Sequence, residues 1–267
     1  RKTQGMSIFE EFESTSLEAW IEKIKQDLKG KDYASTLQWT TDEQITVEPV
    51  YHQDNLKANK AKTYAIDRTL EWEMTERISL SNGIESCNKQ ALEALQGGAN
   101  SLYFSGDIAS SAELNQLLDG IMLDIISTHF YTISPAELKE LLNDYCSANE
   151  LESDELNLYV YSDPLGESLV SGTSHHSIDS EAHYVIGGIH YANAGANAVQ
   201  ELAYSLNQAV EYIHHQTEQG VSPEEAHTGI HFHMGIGTHF FMEVAKLRAQ
   251  RILWKLISES YGHPVAC

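Results

Sequence analysis

The chain has 267 residues, 42% of them hydrophobic, enough to bury one large core with or without an extension. Seventeen Lys and Arg against 39 Asp and Glu leave a formal net charge of −22, which repels nucleic acid and anionic membrane surfaces instead of releasing their counterions. No run of about 18 apolar residues and no charged-then-apolar-then-small leader occurs, so neither a membrane span nor a secretory signal is expected, and the expected compartment is the cytoplasm.

Arg1 to Gly5 precede an initiator-type Met6 and are set aside as a remnant outside the native chain. Residues 6–70 read as an N-terminal extension. A helix is expected over Leu17 to Leu28, capped by Ser16 or Ser14, with Trp20, Ile21, Ile24 and Leu28 as its apolar stripe and Gly30 as its stop. Lys57, Lys60, Lys62 and Arg68 form the one dense basic cluster; a solvated loop is the expected reading, and a site for a polyanion is the other.

From Glu71 the chain alternates. Strands are expected at Trp72 to Leu80, Asn100 to Phe104, Gly120 to Ile126, Leu156 to Tyr161, His183 to Ile189 and Gly229 to Met234. Helices are expected at Ile84 to Gln96, Ser111 to Leu118, Pro135 to Tyr145, Ala196 to Glu218 and His239 to Tyr261, with Ser134 capping and Pro135 in the first turn of the third. Six strand-helix units over residues 71–267 predict an α/β fold with a parallel sheet and helices outside. A closed eight-stranded barrel needs two more units, and an open doubly wound sheet is the alternative. The strand spacing is too irregular for a stacked repeat. Cys87, Cys146 and Cys267 are far apart and odd in number, which suits reduced thiols.

The segment Gly229 to Gly262 joins a short strand to a long helix through a glycine turn. Phe241, Val244, Leu247, Ile252, Leu253, Leu256 and Ile257 recur at helical spacing, opposite Glu243, Lys246, Arg248, Arg251 and Lys255. This predicts a helix laid on a core by its apolar stripe. His231 and His233 alternate by two and so share one face of a strand, as the paired histidines of a barrel metallohydrolase do. Structural histidines are favoured, because no Asp or Lys at the other strand ends completes a site. Gly235 and Gly237 echo a phosphate-binding turn, but Phe240 takes the third glycine position. His175, His176, His214, His215 and His239 complete the histidine-rich stretches.

The run MGIGTHFFMEVAKLRAQRILW resembles the strand-to-helix signature of methylmalonyl-CoA mutases, whose barrels carry close variants of FFMEIAKxRAxRxLW. HYVIGGIH followed by YANAGANAVQELAYSL is similar to that family's SISGYHMQEAGA…ELAYTL, and DLKGKDYASTLQW with ITVEPVYHQD resembles its amino-terminal region. The resemblance runs from about Gly30 to Tyr261. It implies a (β/α)8 barrel of TIM type, incomplete at about six units, preceded by an N-terminal helical extension.

The resemblance also implies a site. His190 corresponds to the histidine that, in catalytic members, bonds the substrate thioester carbonyl at the carboxyl end of strand five. Its surroundings depart from the family: Asn193 stands where a glutamate follows by three, Asp67 falls on the catalytic tyrosine, and ELNLYVYSDPLGES offers no arginine for the substrate carboxylate. Each charged hydrogen bond so lost is worth about 1.5–3 kcal/mol. No Asp-x-His-x-x-Gly cobalt-ligand motif occurs. The resemblance therefore implies a small, non-catalytic subunit with a vestigial His190, paired with a large subunit that holds adenosylcobalamin and acts on a CoA ester. Two readings from other classes stand beside it, a metal-dependent barrel hydrolase using His231 and His233, and a partner-binding scaffold.

Overall fold

The computed structural model describes residues 15–52, 55, 72–173 and 183–262. The chain divides into two compact units, Arg1–Ile66 and Asp67–Cys267. In the first, α1 (Leu17–Asp27) is capped by Ser16, whose side chain accepts from the Ala19 amide at 3.2 Å; Ser14 lies outside the described residues. Leu17, Trp20, Ile21 and Ile24 are its half-buried positions, as is Leu28 at its C-cap, and Lys29 and Gly30 reverse the chain at positive φ. Helix α2 (Tyr33–Leu37) follows, then an antiparallel pair of β1 (Trp39–Thr40) and β2 (Thr46–Val47).

The second unit carries a six-stranded parallel sheet in sequential order: β3 (Thr75–Ser79), β4 (Ser101–Ser105), β5 (Ser127–Tyr131), β6 (Leu158–Ser162), β7 (His183–Ile186) and β8 (Ile230–Phe232). Between them lie α3 (Ile84–Gln96), α4 (Ser111–Leu118), α5 (Pro135–Ala148), α6 (Pro164–Ser171), α7 (Gly188–Asn193), α8 (Ala198–Glu218) and α9 (Pro223–Thr228), and α10 (Phe240–Ser260) follows β8. This is an α/β sheet of the incomplete (β/α)8 type; among the described residues it does not close, and β3 and β8 are its outer strands.

Alternation along each strand makes two layers. Ile78, Leu102, Phe104, Phe130 and Val160 face helices α3 to α5 in one core. Tyr184 and Ile186 face Leu206, Tyr212, Ile213 and Trp254 in a second. The opposite face of the sheet carries Tyr103, Tyr131, Tyr159, Tyr161 and Val185.

Three expectations need correction. The third strand is Ser127–Tyr131, not Gly120 to Ile126: Met122 and Ile125 are exposed in a turn, whereas STHFY alternates Thr128 and Phe130 with His129 and Tyr131. His183 to Ile189 is a strand only to Ile186, because Gly187 and Gly188 turn the chain into α7. Helix α10 is rolled away from its apolar stripe. It buries Lys246, Gln250, Trp254 and Ser258, while Phe241 is 86% exposed and Val244, Leu247, Leu253 and Leu256 are exposed too. The buried Lys246 reaches Glu201 on α8, and Trp254 packs edge-on against Phe232.

Candidate functional site at the carboxyl rim of the sheet

Barrel-type sites form where parallel strands end. At the end of β6 stands Asp163, 2% exposed. One oxygen accepts from the Gly166 amide at 3.0 Å, from Gln208 Nε2 at 2.6 Å and from the Tyr212 hydroxyl at 2.7 Å. The other accepts from the Gly187 amide at 3.2 Å. The carboxylate thereby ties β6 to the turn after β7 and to α8. Burial pushes Asp163 above the ordinary carboxylate range, against the pull of these bonds and of nearby His190. Tyr212 stacks on Tyr184 with centroids 4.0 Å apart, and its hydroxyl also accepts from the Leu165 amide at 2.8 Å. Gln208 in turn accepts from Tyr191 at 2.9 Å.

His190 lies in α7, just past the strand end. Its amide donates to the Gly187 carbonyl at 2.9 Å, and its ring lies so close to Gly187 that a Cβ there would come within 2.6 Å of Nε2. Gly188 is equally constrained, since a Cβ would meet Met234 Sδ at 2.7 Å and Ser205 Oγ at 2.8 Å. The two glycines let β7, α7 and the segment after β8 converge beneath His190. Asn193 ends the same helix three residues on and is exposed.

The glycine turn after β8 is occupied by the protein's own anion. Glu201 accepts from the Gly235 amide at 2.7 Å and pairs with Lys246 at 2.7 Å, and Lys246 also donates to the Gly235 carbonyl at 2.5 Å. Glu243 approaches the same ammonium at 2.6 Å. Burial alone would lower the lysine, but the bonds to Glu201 and Glu243 outweigh it and hold the ammonium above its usual range. Amide, carboxylate and cation are mutually satisfied, which leaves this turn no role as a phosphate cradle.

The inner face of the sheet is a layer of rings. His129 stacks on Tyr159 at 4.9 Å and on Tyr161 at 5.9 Å. His231 meets Tyr161 edge-on at 4.8 Å, and His233 packs on Tyr103 at 4.9 Å. His231 and His233 do share one face, but as packing partners of tyrosines; among the described residues no three His, Cys, Asp or Glu come together to hold a metal. Burial, then the charges of His183 and His129, holds His231 down to about 4. Burial, then Arg77 and the neighbouring histidines, does the same for His233, also to about 4. The inner positions of β6 are Tyr159 and Tyr161, and no arginine accompanies them.

Other residues singled out by sequence fall elsewhere. Asp67, the basic cluster Lys57, Lys60, Lys62 and Arg68, His175, His176 and Cys267 lie outside the described residues. Cys87 and Cys146 are free and buried. His214 pairs with Glu218 on the exposed side of α8, and His239 precedes α10. Asp163, Gln208 and Tyr212 escaped sequence reading. The signal was the dipeptide Asp163-Pro164 at a strand end, which marks a helix cap. Among the described residues, no helix is long and apolar enough to cross a membrane.

The family model described as Methylmalonyl-CoA mutase matches residues 105–264, more than half of the chain. A methylmalonyl-CoA mutase small subunit from Porphyromonas gingivalis is 30% identical over 96% of this chain and 46% of its own length. The corresponding small subunit of Streptomyces virginiae is 25% identical, covering 98% of this chain and 48% of the relative. The large subunit from that organism is 27% identical, covering 92% and 41%. The chain thus spans about half the length of the curated relatives it matches. Motif, parallel sheet and family model agree, and the chain belongs to the methylmalonyl-CoA mutase family.

Proposed function

We propose that this chain is the barrel portion of a small, non-catalytic methylmalonyl-CoA mutase subunit, with residues 6–70 as an extension and residues 71–267 as a partial barrel. Its partner is a homologous large subunit, and the heterodimer interconverts succinyl-CoA and methylmalonyl-CoA in the cytoplasm. The observation that carries the reading is the inner face, where Tyr103, Tyr161 and Val185 are each 5% exposed or less and tyrosine and histidine rings interlock beneath His190. Bulky rings on this face take up space beneath the rim, which supports a His190 that no longer works on a bound thioester. Its polar neighbours point the same way: the Asp163 carboxylate is fully engaged by four donors, and Asn193 stands one turn further on.

Adenosylcobalamin supplies radical chemistry to this family, but the residues here do not fit it. The histidine rings of the inner face are taken up by tyrosines. The cofactor belongs to the large subunit in this reading. His190 is then a packed relic. In a reconstituted two-subunit enzyme, His190→Gln should keep activity within a few-fold of wild type, since each tenfold corresponds to about 1.4 kcal/mol of transition-state stabilisation. A loss of a hundredfold or more, with assembly intact, would overturn it.

A further inference from the structure

The second unit holds two separate cores, one under β3 to β6 with α3 to α5, the other under β7 and β8 with α8 to α10. Among the described residues, the aromatic contacts that cross from one half to the other inside the sheet are Tyr103 with His233 and Tyr161 with His231, alongside Val185, which packs with Tyr103 and Tyr161. Both crossing pairs are a tyrosine against a histidine. From this geometry we infer that the inner layer is an acid-sensitive latch, in which protonation of His231 and His233 loosens the β7–α10 half from the β3–β6 half and leaves the joint to the Asp163 bonds and the β6–β7 pairing.

The charges around the two rings favour that outcome. Arg77 on β3, His129 on β5, and His190 at the rim all push against His233, and His183 and His129 push against His231. Lys139 on α5 adds its charge against His183. Two carboxylates act in the other sense: Glu73 beside His129 at 4.0 Å, and Asp163, which is already committed to four donors. Imidazolium pairs would therefore gather in one half-buried layer with few counter-charges, and separation of the halves relieves both burial and repulsion. The sign is definite. Both rings titrate lower folded than unfolded, so the contribution is intact above the ordinary histidine value and is lost as pH falls from about 6.5 to about 4.

Hydrogen exchange read by mass spectrometry on the full chain, between about pH 7 and about pH 4, tests the latch. After correction for intrinsic exchange, amides of β7, β8 and α8 should lose protection at a higher pH than those of β3 to β5. The double variant His231→Phe, His233→Phe should move that loss down by at least about half a pH unit. If the double variant does not fold, His231→Gln and His233→Gln made singly should each move it part of the way. Loss of protection in both halves together, or an unmoved midpoint in the variants, overturns the proposal and assigns the acid response to carboxylates such as Glu201.

Discussion

Asp163 concentrates the physical chemistry of the rim in one side chain. A carboxylate buried among four donors gains enough from them to remain useful despite desolvation. Asp163→Asn keeps the shape but turns one acceptor into a donor facing other donors, leaving at least one buried group unsatisfied. The variant should lose about 1–3 kcal/mol, read as a lower urea midpoint at unchanged slope; an unchanged midpoint would mean that the network is slack. Sequence reading missed this residue because its partners, Gly187, Gln208 and Tyr212, are distant along the chain and meet only through the sheet. The place of His190 beyond the fifth strand of the sheet was legible through its motif. Its ring contact with Gly187 was not, since the two glycines looked like the end of a strand.

At the scale of elements, chain order and type were legible where caps and periodicity agreed. Helices α3, α4, α5 and α8 lie within three residues of expectation at each end. Helices α6 and α9 were overlooked although Asp163-Pro164 and Ser222-Pro223 are both N-cap signals; their eight and six residues are too short to show a period. Helix α10 was misread for a different reason. Hydrophobic periodicity assumes that the greasiest face is the buried one, and here a buried ion pair overrules it: Lys246 sits at 2% side-chain exposure against Glu201 at 2%. Lys246→Met strands two carboxylates, and a loss of about 3–5 kcal/mol is expected from chemical denaturation. Conversely, Phe241→Ser at an 86% exposed position should change stability by no more than about 0.5 kcal/mol in the isolated chain. A large loss there would show that the stripe is buried in solution.

Across the whole molecule, the parallel sheet of six strands and the family motif were both readable from the sequence, because alternation of strands and helices allows few architectures. The layer of tyrosines and histidines on the inner face was not. It is spread over β4, β5, β6 and β8, and no window of sequence contains more than a fragment of it. That layer separates two accounts of the same family fold, one with a working chamber under His190 and one without. Titration of adenosylcobalamin into the isolated chain, followed by visible absorbance and paired with a succinyl-CoA isomerisation assay, distinguishes them most directly. The account predicts neither stoichiometric binding nor turnover until a large subunit is added, and tight one-to-one binding or turnover by this chain alone would contradict it.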